Sequence, residues 1–273
     1  MFIARTFSFV IIVPLFIYAV YFKTVPANIL FITFAIILGF QAVNEYLKML
    51  SQGGWKSYRL LGAVFGLLLI ISSFYSKMFI VLLLESMTFW VVLLFSKDKK
   101  ESLQKIIVSS SSLIMVALPL SILVLIHESS SGNALLLYLI LVTKAGDTGA
   151  YITGTISSKM MSGGNHKIVP SISPKKSWEG TIGGLVFSIA ISIIMWNIFR
   201  FSGSLFIFPV ILGFLFFWGG FAGDLAESCI KRICGVKDSG NIIPGMGGVL
   251  DILDSLMINA LVFIVVFETL KIF

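Results

Sequence analysis

The sequence predicts an all-α polytopic membrane protein. Of its 273 residues, 58% are hydrophobic and only 12% are charged, whereas charged residues make up about 25% of an average soluble domain. The apolar residues form continuous runs rather than the alternating pattern of transmembrane β-strands, and a helix crosses a bilayer with about 20 such residues. This composition excludes a disordered chain and argues against a water-soluble enzyme.

Nine apolar runs supply the elements of this predicted fold. They lie near residues 6–22, 27–43, 60–76, 78–95, 106–126, 134–153, 181–199, 204–223 and 249–270. The first run is interpreted as a helix rather than a signal peptide, because no small-x-small cleavage site follows it. We expect residues 1–133 to form a scaffold of about five helices. Residues 134–273 would form a catalytic region of about four helices with cytoplasmic loops at 157–180 and 224–248.

The basic residues predict the orientation of these helices. With a cytoplasmic N-terminus, fifteen of the twenty Lys and Arg residues fall in cytoplasmic segments and four on the opposite side, while Lys144 lies inside a run. This bias is typical of a multi-pass protein of the cell membrane. The net charge of +7 is spread over short clusters between apolar runs, so we do not expect nucleic acid as a partner.

Polar residues suited to phosphate chemistry begin after residue 140. Asp147 follows Lys144 by three residues, so the two share a helical face and could also form a simple ion pair. The loop 157–180 then places ammonium and hydroxyl groups just before a predicted helix start, which suits phosphate binding. The candidate residues in this loop are Ser173, Lys175, Lys176 and Ser177. The GxxxxGK[ST] pattern of a P-loop is absent.

The most specific pattern lies in residues 223–255. Asp251 and Asp254 are three apart, so one helical face presents both carboxylates. Asp224, Ser228 and Lys231 form a similar stripe on the preceding helix. A divalent cation would compensate such carboxylates, and Mg²⁺ binds a few carboxylates together with water and substrate phosphates. The alternative is a set of helix-end charges that pair with neighbouring cations. Further candidates in this segment are Arg232, Lys237, Asp238, Gly247 and Gly248.

This segment resembles the phosphatidate cytidylyltransferase (CDP-diacylglycerol synthase) family. The family pattern is a Ser, two residues, Lys-Arg, four residues, Lys-Asp, and a glycine stretch leading to Asp-Arg-x-Asp. The positions that match it in register are Ser228, Lys231, Arg232, Lys237, Asp238, Gly245, Gly247, Gly248, Asp251 and Asp254. The segments 147–151 and 173–180 also resemble the family. Met246 replaces the usual His and Ile252 the usual Arg, so we expect chemistry that needs only a metal and positioning.

The resemblance implies that CTP and phosphatidic acid react to give CDP-diacylglycerol and pyrophosphate in a polar cavity open to the cytoplasm. We assign Asp224, Asp251 and Asp254 to one or two cations, Mg²⁺ first, and Lys231 to catalysis. Arg232 and Lys237 would hold pyrophosphate or the lipid head group. Lys175, Lys176 and Ser177 would close over CTP. Asp147 would contact the metal-binding acids without binding the metal itself. On general grounds we expect a homodimer.

Two other functions fit the sequence. A CTP-dependent polyprenol or phytol kinase has similar hydropathy, but it would transfer the γ-phosphate and release CDP. A cation channel or transporter would use carboxylates along a path, namely Glu85, Asp147, Asp251 and Asp254. That reading needs acids spread through the membrane depth, whereas most of these acids lie at predicted cytoplasmic ends. A CDP-alcohol phosphotransferase is a weaker fit, because its DGxxAR…GxxxDxxxD spacing is absent.

Overall fold

The computed structural model of the chain describes residues 13–201, 207–242 and 247–270 and is almost entirely helical. Its helices are α1 (13–21), α2 (Val25–Gln52), α3 (Arg59–Ser73), α4 (Met78–Phe95), α5 (Lys99–Ser112), α6 (Leu118–Glu128), α7 (Gly132–Met160), α8 (Trp178–Ile198), α9 (Ile207–Ile233) and α10 (Leu250–Leu270). Two short strands, β1 (Lys167–Val169) and β2 (Ser173–Ser177), complete the described elements.

Seven of the described helical segments are long and apolar enough to cross a membrane, which confirms the prediction of an all-α polytopic membrane protein. The third predicted run is the 15-residue helix α3, which is shorter than these seven. The first predicted run lies partly outside the described residues, and its remainder is α1.

The chain forms two compact units, and their boundary falls within α9 and α10. The first unit comprises Met1–Asn133 and Ile230–Leu253, and the second comprises Ala134–Cys229 and Asp254–Phe273. In the first unit α2 packs closely on α3, because Gly39 leaves room for the side chain of Ile70. Glycine at such a contact lets two helix backbones approach, which is a common way to pack helices in a membrane.

A π-helical segment, Leu113–Ala117, joins α5 to α6 in one continuous helical run of the first unit. Pro119 follows at the start of α6. A proline has no N–H to offer the carbonyl four residues earlier, so the backbone there adopts another bonding pattern. At the other end of this run, the Asp98 side chain caps α5 by accepting a hydrogen bond from Glu101 N at 3.0 Å.

Buried hydrogen bonds tie the helices of the second unit together. The Asn259 side chain in α10 donates from Nδ2 to Thr143 Oγ1 in α7 and to the Phe216 carbonyl in α9, both at 2.7 Å. Ser192 in α8 donates to the Pro209 carbonyl in α9 at 2.5 Å and accepts from the Tyr138 hydroxyl in α7. Because water is absent from a bilayer core, polar groups there find partners inside the protein, and these bonds fix four helices against one another.

The predicted loop 157–180 contains an antiparallel hairpin of β1 and β2, which the sequence reasoning did not predict. Lys167 pairs with Ser177 and Val169 pairs with Ser173. The hairpin leads directly into α8, because the Ser177 hydroxyl caps that helix by accepting from Gly180 N at 3.2 Å. The hairpin residues are therefore held at a fixed helix start rather than in an irregular loop.

Candidate active site

Asp251 is the centre of a cluster in the first unit, which we call the Asp251 cluster and which comprises Lys231, Ser239, Gly248 and Asp251. Lys231 Nζ lies 2.7 Å from Asp251 Oδ1, and both side chains are mostly buried, at 12% and 11% exposure. Oδ2 accepts from the Ser239 hydroxyl at 2.9 Å and from Gly248 N at 2.7 Å. Charge-assisted hydrogen bonds of this kind are short and strong, so they fix the lysine ammonium group in place.

The glycine loop before α10 lets its backbone approach the Asp251 carboxylate. Gly247 has a φ of +93°, and an added Cβ would lie 2.6 Å from Asp251 Oδ2. Only glycine adopts such a backbone conformation without a steric penalty. Gly247 therefore leaves space for the Asp251 carboxylate, and Gly248 supplies it with a backbone N–H. These are local reasons for glycine at the two predicted positions.

The second unit contains the Asp224 cluster, which comprises Lys176, Phe221, Asp224 and Ser228. Lys176 Nζ lies 3.0 Å from Asp224 Oδ2 and donates to the Phe221 carbonyl at 3.1 Å. The same ammonium group stands 3.9 Å from the centre of the Phe221 ring, in cation–π geometry. Ser228 Oγ is 3.4 Å from Asp224 Oδ1. A lysine of the hairpin is thus held against Asp224 in α9.

The predicted Lys144–Asp147 pair is present in the second unit, with Nζ and Oδ2 3.1 Å apart. Ser255 joins this pair, because its hydroxyl accepts from Lys144 at 2.8 Å and donates to Asp147 at 3.0 Å. Sequence reasoning missed the role of Ser255. Its position next to Asp254 was the available signal.

Asp224 in α9 and Asp254 in α10 lie on helices of the second unit that approach each other closely. The Asp254 side chain is buried, and Oδ1 accepts from Ser255 N at 2.5 Å. Gly223 makes this proximity possible, because an added Cβ there would lie 2.5 Å from the Asp254 carbonyl oxygen. Helices α9 and α10 therefore meet backbone to backbone where the two carboxylates are carried.

The remaining predicted site residues are more exposed or serve the local structure. Ser177 is buried, caps α8 and accepts a further bond from Asn165 at 3.1 Å. Ser173 lies half-buried in β2. The others face outward, namely Lys175, Arg232, Lys237 and Asp238. Met246 and Gly245 lie outside the described residues.

The two cysteines form no disulfide and are both free. Cys234 is buried against Gly53 of the loop after α2. Burial raises the pKa of the Cys234 thiol, which keeps it protonated and unreactive at neutral pH.

Comparison with known proteins decides the family. The sequence model of the Cytidylyltransferase family matches residues 3–270. The chain belongs to this family.

Named relatives of this chain include phosphatidate cytidylyltransferase 4, chloroplastic, of Arabidopsis thaliana, with 52% identity over 104 residues, which are 38% of this chain and 26% of that protein. The phosphatidate cytidylyltransferase of Staphylococcus saprophyticus is 42% identical over 133 residues, 49% of this chain and 48% of the relative. That of Haemophilus influenzae is 40% identical over 136 residues, 48% of this chain and 44% of the relative. The chain thus spans about half, or less, of the length of these relatives.

Sequence reasoning missed one acid of the first unit, Glu45 in α2. Its side chain is 3% exposed and accepts hydrogen bonds from Ser239 and from Leu250 N. Glu45 lies 194 residues from Ser239 along the chain, so no local spacing pattern links them. The available signal was an acidic residue directly after the apolar run 27–43, where a charge next to the membrane is costly unless it has a partner.

Proposed function

We propose that this cytidylyltransferase transfers CMP from CTP to phosphatidic acid and releases pyrophosphate. The observation that carries the proposal is a buried or half-buried lysine–aspartate pair in each unit, Lys231–Asp251 and Lys176–Asp224, in a chain of the Cytidylyltransferase family. Lysine ammonium groups beside carboxylates suit the binding of phosphates together with a cation. The names of the relatives support phosphatidic acid as the acceptor.

The proposed reaction needs little proton chemistry. An oxygen of the lipid phosphate attacks the α-phosphorus of CTP, and the bond from that phosphorus to the oxygen bridging to the β-phosphorus breaks. Pyrophosphate leaves with the electron pair of that bond. The second pKa of a phosphate monoester is about 6, so the nucleophile is already ionised at neutral pH. Alignment and charge neutralisation then supply most of the catalysis.

The lysines are proposed to bind the phosphates. Lys176 would contact CTP, with Lys175 and Ser173 of the hairpin beside it. Lys231, fixed by Asp251, would hold the phosphate of the lipid or of the leaving pyrophosphate. Arg232 and Lys237 are exposed and would supply further positive charge near the head group. Ser228 contacts Asp224 and would orient its carboxylate. Asp147 would hold Lys144 and Ser255, the residue next to Asp254. Ser177 would keep the hairpin at the start of α8 by capping that helix.

Asp224 and Asp254 are the residues that fit Mg²⁺ best. Their carboxylates interact electrostatically in the second unit, and Mg²⁺ is usually held by one or two carboxylates, water and substrate phosphates. Among the described residues no three His, Cys, Asp or Glu side chains are grouped to hold a metal without help, so phosphates and water would complete the coordination. Bound Mg²⁺ would supply neutralisation of phosphate charge.

The predicted assignment of Asp251 to the metal stays a prediction, and its contacts support another role. Its two oxygens accept from Lys231, Ser239 and Gly248. A carboxylate engaged in this way orients a lysine. We therefore propose that Asp251 positions Lys231 for phosphate.

The setting of the enzyme is also part of the proposal. The excess of basic residues in one set of loops supports a cell-membrane protein with its polar clusters facing the cytoplasm, where CTP is available. The acyl chains of the lipid would remain in the bilayer. We propose a homodimer, which light scattering of the detergent-solubilised protein would test, and no role for nucleic acid.

The experiment uses the full chain in lipid vesicles with Mg²⁺, phosphatidic acid and CTP labelled at either the α- or the γ-phosphate. A cytidylyltransferase transfers the α-label to lipid and releases the γ-label as pyrophosphate. A polyprenol or phytol kinase, tested with the prenol in place of phosphatidic acid, transfers the γ-label and releases the α-label as CDP. Ion flux through the vesicles without turnover of either label would instead support a channel or transporter and overturn the proposal.

A further inference from the structure

Glu45 is a buried carboxylate that the proposed reaction does not use. It lies in α2, a helix of the first unit that is otherwise largely apolar, and only 3% of it is exposed. A charged group is expensive at such a place unless hydrogen bonds compensate it. Its partners therefore indicate why an acid stands there.

Three donors converge on the two oxygens of Glu45. Oε1 accepts from Gln41 Nε2, one turn earlier in α2, at 2.9 Å. Oε2 accepts from Leu250 N at 3.0 Å and from the Ser239 hydroxyl at 3.4 Å. Leu250 is the first residue of α10, so Glu45 satisfies one of the backbone N–H groups that have no partner within a helix, and its charge complements the helix dipole.

The contact with Ser239 links Glu45 to Asp251. Ser239 donates to Asp251 Oδ2 through both its backbone N–H, at 3.0 Å, and its hydroxyl, at 2.9 Å. The hydroxyl has one hydrogen, which the two carboxylates share in a three-centre hydrogen bond with Asp251 as the nearer acceptor. Glu45 and Asp251 thus hold Ser239 and the first turn of α10 from two sides, and Asp251 in turn holds Lys231.

Two glycines enclose the Glu45 carboxylate. An added Cβ on Gly240 would lie 2.5 Å from Oε1, and one on Gly248 would lie 2.5 Å from Oε2. Both glycines lie between α9 and α10, and the lack of a side chain lets the backbone there approach the carboxylate closely. A single side chain of α2 therefore packs against the backbone at both Gly240 and Gly248 in the first unit.

We propose that Glu45 is a positioning residue that holds the loop and the start of α10 so that Asp251 faces Lys231. It acts through Ser239 and Leu250 and has no contact with substrate. The inference rests on the proposed function, because its kinetic readout is CDP-diacylglycerol formation. It also predicts a local structural effect that does not depend on any activity.

The test compares Glu45→Gln with Glu45→Asp. Glutamine keeps the shape but offers one oxygen to three donors. Aspartate keeps the charge but withdraws the carboxylate by one C–C bond, about 1.5 Å, which breaks the bond to Leu250 N. Positioning predicts that both changes lower kcat about tenfold or more with KM for CTP within about threefold, because a small displacement near the reacting groups is costly. Glu85→Gln is the matched control, since Glu85 is a buried acid of the same unit that accepts from Ser110.

Hydrogen exchange by mass spectrometry supplies the readout that needs no turnover. Both Glu45 variants should exchange about tenfold faster than the wild type in peptides covering 237–253, while Glu85→Gln should match the wild type there. Wild-type kcat per folded molecule and wild-type exchange in Glu45→Gln would overturn the inference. Variants that lose thermal stability but keep wild-type kcat and exchange would overturn it as well. Full activity of Glu45→Asp would show that only the negative charge of this residue matters, which would also overturn the positioning role.

The two proposals fail in different ways. A wild-type protein that forms no CDP-diacylglycerol but shows faster exchange in the Glu45 variants would refute the proposed function and keep the positioning role. If the Glu45 variants do not fold, Ser239→Ala breaks the same link from the loop side with a smaller change. It should lower kcat and accelerate exchange in 237–253, and wild-type values for both would overturn the inference.

Discussion

Gly223→Ala should disable the enzyme while leaving it folded. The added methyl carbon would lie 2.5 Å from the Asp254 carbonyl oxygen, whereas carbon and oxygen in a close backbone contact are about 3.3 Å apart. Helices α9 and α10 must therefore move apart locally by about 0.8 Å, and this movement separates the carboxylates of Asp224 and Asp254.

The stability and the activity should respond differently to this change. Overpacking costs about 1–3 kcal/mol, but alanine in a helix interior gains about 0.8–1 kcal/mol over glycine. The free energy of unfolding should therefore fall by no more than about 2 kcal/mol. A displacement of about 1 Å at reacting groups can reduce the rate about 100-fold, so we expect kcat to fall between about 10- and 100-fold.

The assay measures kcat for CDP-diacylglycerol formation together with the thermal unfolding midpoint of the same preparation. Gly163→Ala is the matched control, because an added Cβ there has no described atom within 4 Å, and its kcat should equal that of the wild type. A Gly223→Ala protein with kcat within twofold of the wild type would refute the idea that close helix approach assembles the acids. A fall in kcat explained entirely by unfolded protein would refute it as well.

Four further changes test the site and its support. Asp254→Asn should abolish Mg²⁺-dependent turnover, by about 100-fold or more in kcat, whereas Asp98→Asn should leave it unchanged because asparagine caps α5 equally well; a Mg²⁺ titration of both proteins checks this. Lys176→Met should raise KM for CTP about tenfold through loss of a phosphate contact, measured by initial rates at saturating lipid. Met246→Ala should cost much less than Asp254→Asn, and an equally inactive protein would show that the glycine loop has a chemical role. Asn259→Leu should lower the unfolding free energy by about 2–3 kcal/mol, because its two buried hydrogen bonds are lost, as thermal unfolding in detergent would show.

The sequence was sufficient to predict the class of fold and the local part of the site. Long apolar runs predict membrane-spanning helices, and among its described residues the structure has seven segments suited to span a membrane. Helical spacing also predicted the Lys144–Asp147 pair, because residues three apart share a face. Both predictions depend only on neighbours along the chain, which a single sequence displays.

Contacts between distant segments could not be predicted in this way. The spacing of Asp251 and Asp254 indicated a shared face, but it did not show that hydrogen bonds from Lys231, Ser239 and Gly248 occupy Asp251. That Ser177 binds substrate stays a prediction, and the sequence did not show that its hydroxyl accepts two bonds within the protein. The partner of each group is set by tertiary packing, and one sequence carries no record of it.

The π segment Leu113–Ala117 has a consequence for how this chain tolerates changes in length. A π turn closes its hydrogen bond over one more residue than an α turn, so the segment behaves as an α-helix with one residue inserted. Removal of one residue within it would let the backbone relax to an α-helix and leave both flanks facing as before. The same deletion at Ser110 would turn one flank by about 100° relative to the other and disrupt the hydrogen bond that Ser110 donates to Glu85. Evolution can therefore shorten this helical run at the π segment without rotating its flanks.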